Sequence, residues 1–183
     1  MKYAHLLQSI HPDFFASESI RSIPEEEEYS ELVLDLSKSS LESIRIPCPE
    51  GVAFGTLEGR REELRQAVAL VDEDWVQYFD EESPVYCAFD TGKGNKIVSF
   101  CTLDDMGLHQ GLRVGGPGCV GTIPEYRSHG IGLEMVRRGS LLLREKGVDL
   151  SYIHYTHIGH WYEKLGYEPV LRWNCHGILW EKE

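Results

Sequence analysis

The stretch from 119 to 146 constrains the fold more than any other part of this sequence. An apolar run ends at Ile123, a turn containing Gly130 and Gly132 follows, and residues 131–146 carry apolar side chains at helical spacing. The first turn of a helix has unpaired N–H groups and the positive end of the helix dipole. Glycines there let a ligand approach the backbone closely. The sequence therefore predicts a strand, a turn and a helix whose start can hold a phosphate or pyrophosphate, with Arg127 adding positive charge.

Two other phosphate-binding motifs fit this region poorly. A dinucleotide-binding turn needs a third glycine where Met135 stands. A P-loop needs a spacing and a hydroxyl that the segment 92–95 lacks. A tight turn with no ligand remains the alternative for this motif taken alone.

Periodicity along the rest of the chain predicts a mixed α/β (α+β) protein. From residue 52 the order is β-α-β-β-β-α-β-α-β-β, which is typical of a central mixed sheet flanked by helices. The predicted strands are 52–57, 85–89, 96–103, 113–123, 149–155, 167–173 and 177–180. The predicted helices are 61–79, with a break near residues 72–74, 131–146 and 159–165.

The first fifty residues differ in pattern, so we divide the chain into an N-terminal extension, 1–50, and a domain, 51–183. The extension is predicted to contain a short helix over 3–10 and a strand over 29–36. The segment Leu41–Ile46 is predicted to return as a second strand, which would make a β-hairpin. Whether the extension covers a groove or builds a homodimer stays open.

Charge and cysteine content narrow the class of partner. The net charge of −12 argues against a nucleic-acid binder and against an anionic membrane surface as partner. It suits a cationic partner, and a simple role in solubility is the alternative. No apolar run approaches the ~18 residues of a membrane span. The N-terminus lacks the pattern of a secretory signal, and the five cysteines contain no C-x-x-C pair. These features predict a reduced, cytoplasmic protein.

A second motif, which follows the predicted strand 149–155, adds to the evidence from the turn before the helix 131–146. Residues 160–167 read His-Trp-Tyr-Glu-Lys-Leu-Gly-Tyr, and residues 124–132 read Pro-Glu-Tyr-Arg-Ser-His-Gly-Ile-Gly. In this order the two segments resemble the GCN5-related N-acetyltransferase superfamily, over roughly residues 51–183.

The resemblance implies acetyl-CoA as co-substrate and acetyl transfer to an amine by direct attack in a ternary complex. The residues themselves predict no metal site, because no acidic or cysteine ligand falls in a known zinc pattern. The resemblance also implies that Tyr162 protonates the departing CoA thiolate. Backbone groups would hold pantetheine and pyrophosphate, and the residues that match these positions are Val120, Gly121, Thr122, Arg127, Ser128, His129, Gly130, Ile131 and Gly132.

The chain departs from the family pattern at two places. Many relatives have an asparagine at the end of the strand before the tyrosine helix, where this chain has Tyr155. The strand 119–123 carries no carboxylate to serve as a general base. A CoA-binding module without turnover is therefore the alternative function. The alternative bases are Asp104, Asp105, His154 and His157.

Three further hypotheses concern the chemistry and the acceptor. Histidines 154, 157 and 160 are candidate metal ligands, although no typical zinc pattern surrounds them. Cys119 is a candidate nucleophile that would carry the acyl group, and the alternative is a small buried core residue. Carboxylates crowd residues 72–82, without Lys or Arg, and would attract a cationic amine; an ordinary solvated surface is the alternative.

Overall fold

The computed structural model describes residues 2–183, which form one eight-stranded sheet with helices on both faces. The strands are β1 Tyr29–Asp35, β2 Val52–Thr56, β3 Val85–Asp90, β4 Lys96–His109, β5 Leu112–Thr122, β6 Leu150–Thr156, β7 Glu168–Asn174 and β8 Gly177–Glu181. The α-helices are α1 Tyr3–Ile10, α2 Glu18–Arg21, α3 Arg61–Ala69, α4 Ile131–Glu145 and α5 Gly159–Tyr162. Within the described range, no helix combines the length and the apolar character needed to cross a bilayer.

The strand order is β2-β3-β4-β5-β6-β1-β7-β8, and every neighbouring pair is antiparallel except β5 and β6. The parallel ladder is short: Val114 pairs with Leu150, Gly115 pairs with Ser151, and no later pair follows. The two strands therefore part in the middle of the sheet. This architecture confirms the mixed α/β class.

Helix α4 and the segment after α3 cover opposite faces of the sheet. A Cβ atom on Gly139 of α4 would lie 2.9 Å from Leu103 Cδ2, so helix and strand pack closely there. On the other face Phe100 meets Phe79 edge-on, with ring centroids 5.3 Å apart. Alternate residues of β4 thus face α4 and the α3 side. We call these the α4 face and the α3 face.

The first fifty residues are more deeply built into the fold than their pattern indicates. The predicted helix 3–10 is confirmed as α1. Strand β1 lies inside the sheet, antiparallel to both β6 and β7. The hairpin prediction is wrong, because Leu41–Ile46 contains turns and irregular backbone but no strand. That segment instead packs along α4, where Arg137 Nη1 donates to the Leu41 carbonyl oxygen at 3.0 Å.

The predicted helix 61–79 breaks near residues 72–74, as the sequence indicated, and its second part is a 3₁₀ segment and not an α-helix. Helix α3 ends at Ala69, and a 3₁₀ segment, Glu73–Tyr78, follows after a break. The break falls at Asp72, whose carboxylate accepts from the Asp74 amide at 3.0 Å and starts the new segment. The remaining elements from β2 to β8 appear in the predicted order.

Candidate functional site

The parting of β5 and β6 creates an opening in the sheet, and β5 is irregular beside it. The β4–β5 register shifts between Phe100 and Thr102, and Cys119 on β5 has a φ of 45°. Such a shift is a β-bulge, which turns the strand and frees backbone groups from the ladder. Because β6 has diverged, the β5 backbone after Gly115 has no strand partner on that side. Val120, Gly121 and Thr122 lie on this stretch.

The turn between β5 and α4 points its backbone amides outward. Ser128 and Gly130 adopt left-handed conformations with φ of 64° and 78°. No described residue accepts a hydrogen bond from the amides of residues 128–132. These amides precede or begin a helix of 15 residues. Unpaired amides at such a helix start form a cradle for an anion.

Close packing fixes the shape of this cradle. A Cβ atom on Gly130 would lie 2.3 Å from the Pro47 carbonyl oxygen, so no larger residue fits without moving that backbone. A Cβ atom on Gly132 would lie 3.1 Å from Thr122 Oγ1 and 3.4 Å from the Trp161 ring. The end of β5, the start of α4 and α5 therefore meet at one point. The sequence motifs at 119–132 and 160–167 are brought together here.

Side chains of the cradle leave it open to a ligand. Arg127 is exposed and donates through Nε to the Thr122 carbonyl oxygen at 3.1 Å. Ser128 and His129 are exposed. Ile131 is buried beneath the turn. The guanidinium of Arg127 is thus the positive charge that the cradle offers to an anion.

Tyr162 lies on α5, on the α4 side of the opening. Its side chain packs against Trp161 and Tyr167, with ring centroids 4.8 and 5.9 Å away. Burial raises the pKa of its hydroxyl well above the usual tyrosine value, with smaller contributions from Tyr167, Cys101 and Cys119. No described residue makes a hydrogen bond to this hydroxyl. It is therefore a protonated donor beside the Cys119 bulge.

Asp104 faces the same opening from the α3 face. A Cβ atom on Gly118 would lie 2.7 Å from Asp104 Oδ2, so the carboxylate sits over Gly118. Oδ2 accepts from Thr102 Oγ1 at 2.8 Å, and burial raises the Asp104 pKa. Burial, followed by the charges of Asp104 and Asp72, raises the pKa of Cys119 to about 12. Two carboxylates thus act on the bulge from the α3 face.

His154 lies on β6, three residues beyond Ser151, the last residue of that strand that pairs with β5. Its Nδ1 lies 2.8 Å from Glu31 Oε2. Glu31 is completely buried, and its Oε1 accepts from Trp173 Nε1 at 2.7 Å and from the Tyr155 amide at 3.2 Å. The His11 ring from the N-terminal segment stacks on His154 at 4.0 Å. The segment before β1 therefore borders this side of the opening.

The structure separates the four alternative bases into two pairs. Asp104 and His154 flank the opening, whereas Asp105 forms an ion pair with Arg113 and His157 is exposed beside Tyr29. Tyr155, the residue at the family's asparagine position, takes a left-handed φ of 55° and points into an aromatic cluster.

Glu31 is a functional candidate that sequence reasoning missed. Its partner His154 is far along the chain, and no local pattern joins them. Within residues 2–183, no group of three His, Cys, Asp or Glu side chains is arranged to hold a metal ion.

Comparison with known proteins gives a consistent family. Residues 59–170 match the family model described as an acetyltransferase (GNAT) domain. No curated protein sequence matches the chain. A GCN5-related glucosamine N-acetyltransferase region of a fungal multi-domain beta-N-acetylglucosaminidase is 19% identical with a TM-score of 0.67, covering 80% of this chain and 20% of that one.

Two bacterial structures show the same fold. A GCN5-related N-acetyltransferase from Sphaerobacter thermophilus is 18% identical with a TM-score of 0.63, covering 82% of this chain and 50% of that one. One from Kribbella flavida is 17% identical with a TM-score of 0.55, covering 86% of this chain and 60% of that one. This chain therefore spans only part of the length of each.

Proposed function

Because the chain belongs to the GNAT acetyltransferase family, we propose that it is an acetyl-CoA-dependent N-acetyltransferase that acetylates a primary amine by direct attack in a ternary complex. The observation that carries this proposal is the row of unpaired amides at 128–132 beside the open edge of β5. Both features suit one ligand that has an anionic group and an amide-containing arm.

Acetyl-CoA fits this arrangement residue by residue. The amides of Ser128 to Gly132, with Arg127, would hold the pyrophosphate oxygens. Backbone groups of Val120, Gly121 and Thr122 would pair with the pantetheine amides in place of a neighbouring strand. The thioester would then lie at the Cys119 bulge, between Tyr162 on one face and Asp104 on the other.

When bound, acetyl-CoA supplies an activated acyl group, and the protein supplies position and proton transfer. Tyr162 donates its proton to the sulfur as the carbon–sulfur bond breaks. Its raised pKa keeps the donor protonated at neutral pH. Alignment of the amine and thioester in one cleft provides the larger part of the acceleration.

The environment of Cys119 supports direct attack over an acyl-cysteine route. A nucleophilic cysteine needs its thiolate form, which a lowered pKa provides. Burial and two nearby carboxylates instead raise the pKa of Cys119 to about 12. The thiol therefore stays protonated, and we assign Cys119 to the shape of the bulge.

We propose a cationic amine as the acceptor. Asp104 and Asp72 place negative charge on the α3 face of the opening, where an acceptor would enter opposite the CoA. A cleft lined by one sign of charge concentrates substrates of the other sign. We also keep the cytoplasm as the proposed compartment, since all five cysteines are free.

Thiol release from acetyl-CoA tests the proposed function. The assay uses a panel of primary amines, including a polyamine, an amino sugar and a lysine peptide, with a matched alcohol for each as control. We expect amine-dependent CoA release and an acetylated amine by mass spectrometry. Acetyl-CoA binding with no release for any amine would instead establish the non-catalytic CoA-binding module. Absence of both binding and release would contradict the proposal.

A further inference from the structure

We propose that His154, oriented by the buried Glu31, is the general base that takes the proton from the attacking amine through Nε2. The inference rests on the proposed acetyl transfer and assigns the one role that the family motifs leave empty in this chain. Two features of the structure carry it: the hydrogen bonds of Glu31, and the position of His154 at the opening, level with Gly118 and Asp104.

Glu31 fixes which ring nitrogen of His154 is free. Three donors, His154 Nδ1, Trp173 Nε1 and the Tyr155 amide, point at its carboxylate. A glutamate carboxylate can only accept hydrogen bonds. Nδ1 of His154 must then carry a proton, and in the neutral ring Nε2 keeps its lone pair. No described residue makes a hydrogen bond to Nε2, and the side chain is 22% exposed.

The strand register places His154 beside the reacting centre. A Cβ atom on Gly116 would lie 2.0 Å from the Tyr152 carbonyl oxygen, so β5 and β6 still touch at that level. His154 is two residues further along β6, on the same face as Tyr152. Gly118 is two residues further along β5, next to the bulge at Cys119. His154 therefore faces Gly118 across the opening.

Polar side chains cover the α3 face of β5 at Gly118. A Cβ atom on Gly118 would lie 2.7 Å from both Asp104 Oδ2 and Thr102 Oγ1, so the Asp104 carboxylate covers this glycine from the β4 side. The continued register of β5 and β6 puts His154 at the same level on the β6 side. An amine that enters between the parted strands would approach the thioester with a carboxylate on one side and an imidazole on the other.

Asp104 and His154 have different roles because a carboxyl group and an imidazole differ in chemistry. A general base acts best when its pKa lies near the working pH, which is typical of imidazoles and less so of carboxyls. Asp104 therefore attracts the cationic acceptor, whose ammonium group loses one proton to solvent before attack. The nitrogen–carbon bond then forms, the carbon–sulfur bond breaks, the second nitrogen proton passes to His154 Nε2, and the sulfur takes the Tyr162 proton. Exchange with solvent then restores both side chains.

Other titratable side chains surround His154. His11 stacks on it at 4.0 Å, and Tyr152 and Tyr155 lie at 6.2 and 5.9 Å. Burial, together with the charge of His154 and against that of Glu31, lowers the His11 pKa to about 4. His11 is therefore neutral at pH 7. Burial raises the pKa values of both tyrosines, so they stay protonated at that pH.

The test compares H154Q and E31Q with H157Q, which replaces an exposed histidine nearby. We expect H154Q to lower kcat/KM at least about 10²-fold at pH 7 and to remove the acid limb of the pH profile. E31Q keeps the shape, but its amide can donate to Nδ1 and move the proton to Nε2; we expect a similar loss. The thermal shift caused by acetyl-CoA should stay unchanged in all three variants, and H157Q should match the wild type.

Nitrogen-15 NMR of the imidazole tests the orientation without an acceptor. We expect a protonated Nδ1 and an unprotonated Nε2 for His154 in the wild type, and this reading does not depend on whether E31Q folds. An Nε2–H tautomer in the wild type would overturn the assignment, as would H154Q with kcat/KM within threefold of wild type and an unchanged pH profile. If the wild type releases no CoA with any amine, the proposed function itself fails, and the thiol-release assay shows this separately.

Discussion

Replacing Tyr162 by phenylalanine removes one atom from the opening and isolates its role in the chemical step. The ring is held by Trp161 and Tyr167, and those contacts persist in the variant. Because no described residue bonds to the hydroxyl, its loss should change the free energy of unfolding by less than about 1 kcal/mol. A stability change and a catalytic change can therefore be told apart.

The expected catalytic loss follows from the leaving group. An ordinary thiol has a pKa of about 8.5, so a thiolate departs in part without help. We therefore expect Y162F to lower kcat by about 10- to 1,000-fold, or about 1.4–4 kcal/mol of barrier, with unchanged acetyl-CoA affinity. Stopped-flow single-turnover kinetics give the chemical step directly. An unchanged single-turnover rate would refute the role of Tyr162 as proton donor.

The raised pKa of Tyr162 predicts the direction in which the stability of the protein changes with pH. Burial raises the Tyr162 pKa in the folded protein, so its contribution to stability is complete below the unfolded value of about 10. The contribution is lost as pH rises from there through the folded pKa. Urea unfolding between pH 7 and 11 should therefore show a fall above pH 10 that is smaller in Y162F. Equal pH dependence in both proteins would contradict the buried position of the hydroxyl.

Three more predictions follow from particular contacts. Gly130→Ala should abolish the thermal shift by acetyl-CoA, whereas Gly94→Ala, at an equally left-handed but open position, should retain it. Asp72→Asn should raise KM for a cationic acceptor, and added salt should partly reproduce this effect; Glu145→Gln, an exposed control at the far end of α4, should not raise it. Burial alone would raise the Glu134 pKa, but the hydrogen bonds and charges of Arg137 and Arg138 outweigh burial, so the pKa is lowered. The stability that ionised Glu134 contributes is complete above its unfolded pKa and is lost as pH falls through its folded pKa. Glu134→Gln should therefore lower the free energy of unfolding, measured in urea, by about 1.5–3 kcal/mol at pH 7 and by less at pH 3.

The elements after residue 51 could be predicted because each has a local cause. The glycines at 130 and 132 mark a turn, and the apolar spacing over 131–145 marks the helix that follows. The ordered pair of motifs then indicated the family. Local periodicity was sufficient there because neighbouring elements along the chain are mostly neighbours in the sheet.

The first fifty residues could not be predicted as well, because their partners are distant in sequence. Apolar Ile44 and Ile46 suggested a strand, but they pack against the core beside α4. Strand β1 pairs with β6 and β7, which follow it by more than a hundred residues. The bond between Glu31 and His154 depends on that pairing. A single sequence does not encode such a register in any local pattern.

Hydrogen exchange of the turn before α4 tests the central claim most directly. In the free protein the amides of residues 128–132 have no acceptor among the described residues, so they should exchange rapidly. Saturating acetyl-CoA should slow exchange there, together with the β5 stretch around Val120, more than at any other surface turn. Unchanged exchange at 128–132 with acetyl-CoA bound would contradict the account, because the pyrophosphate would then lie elsewhere.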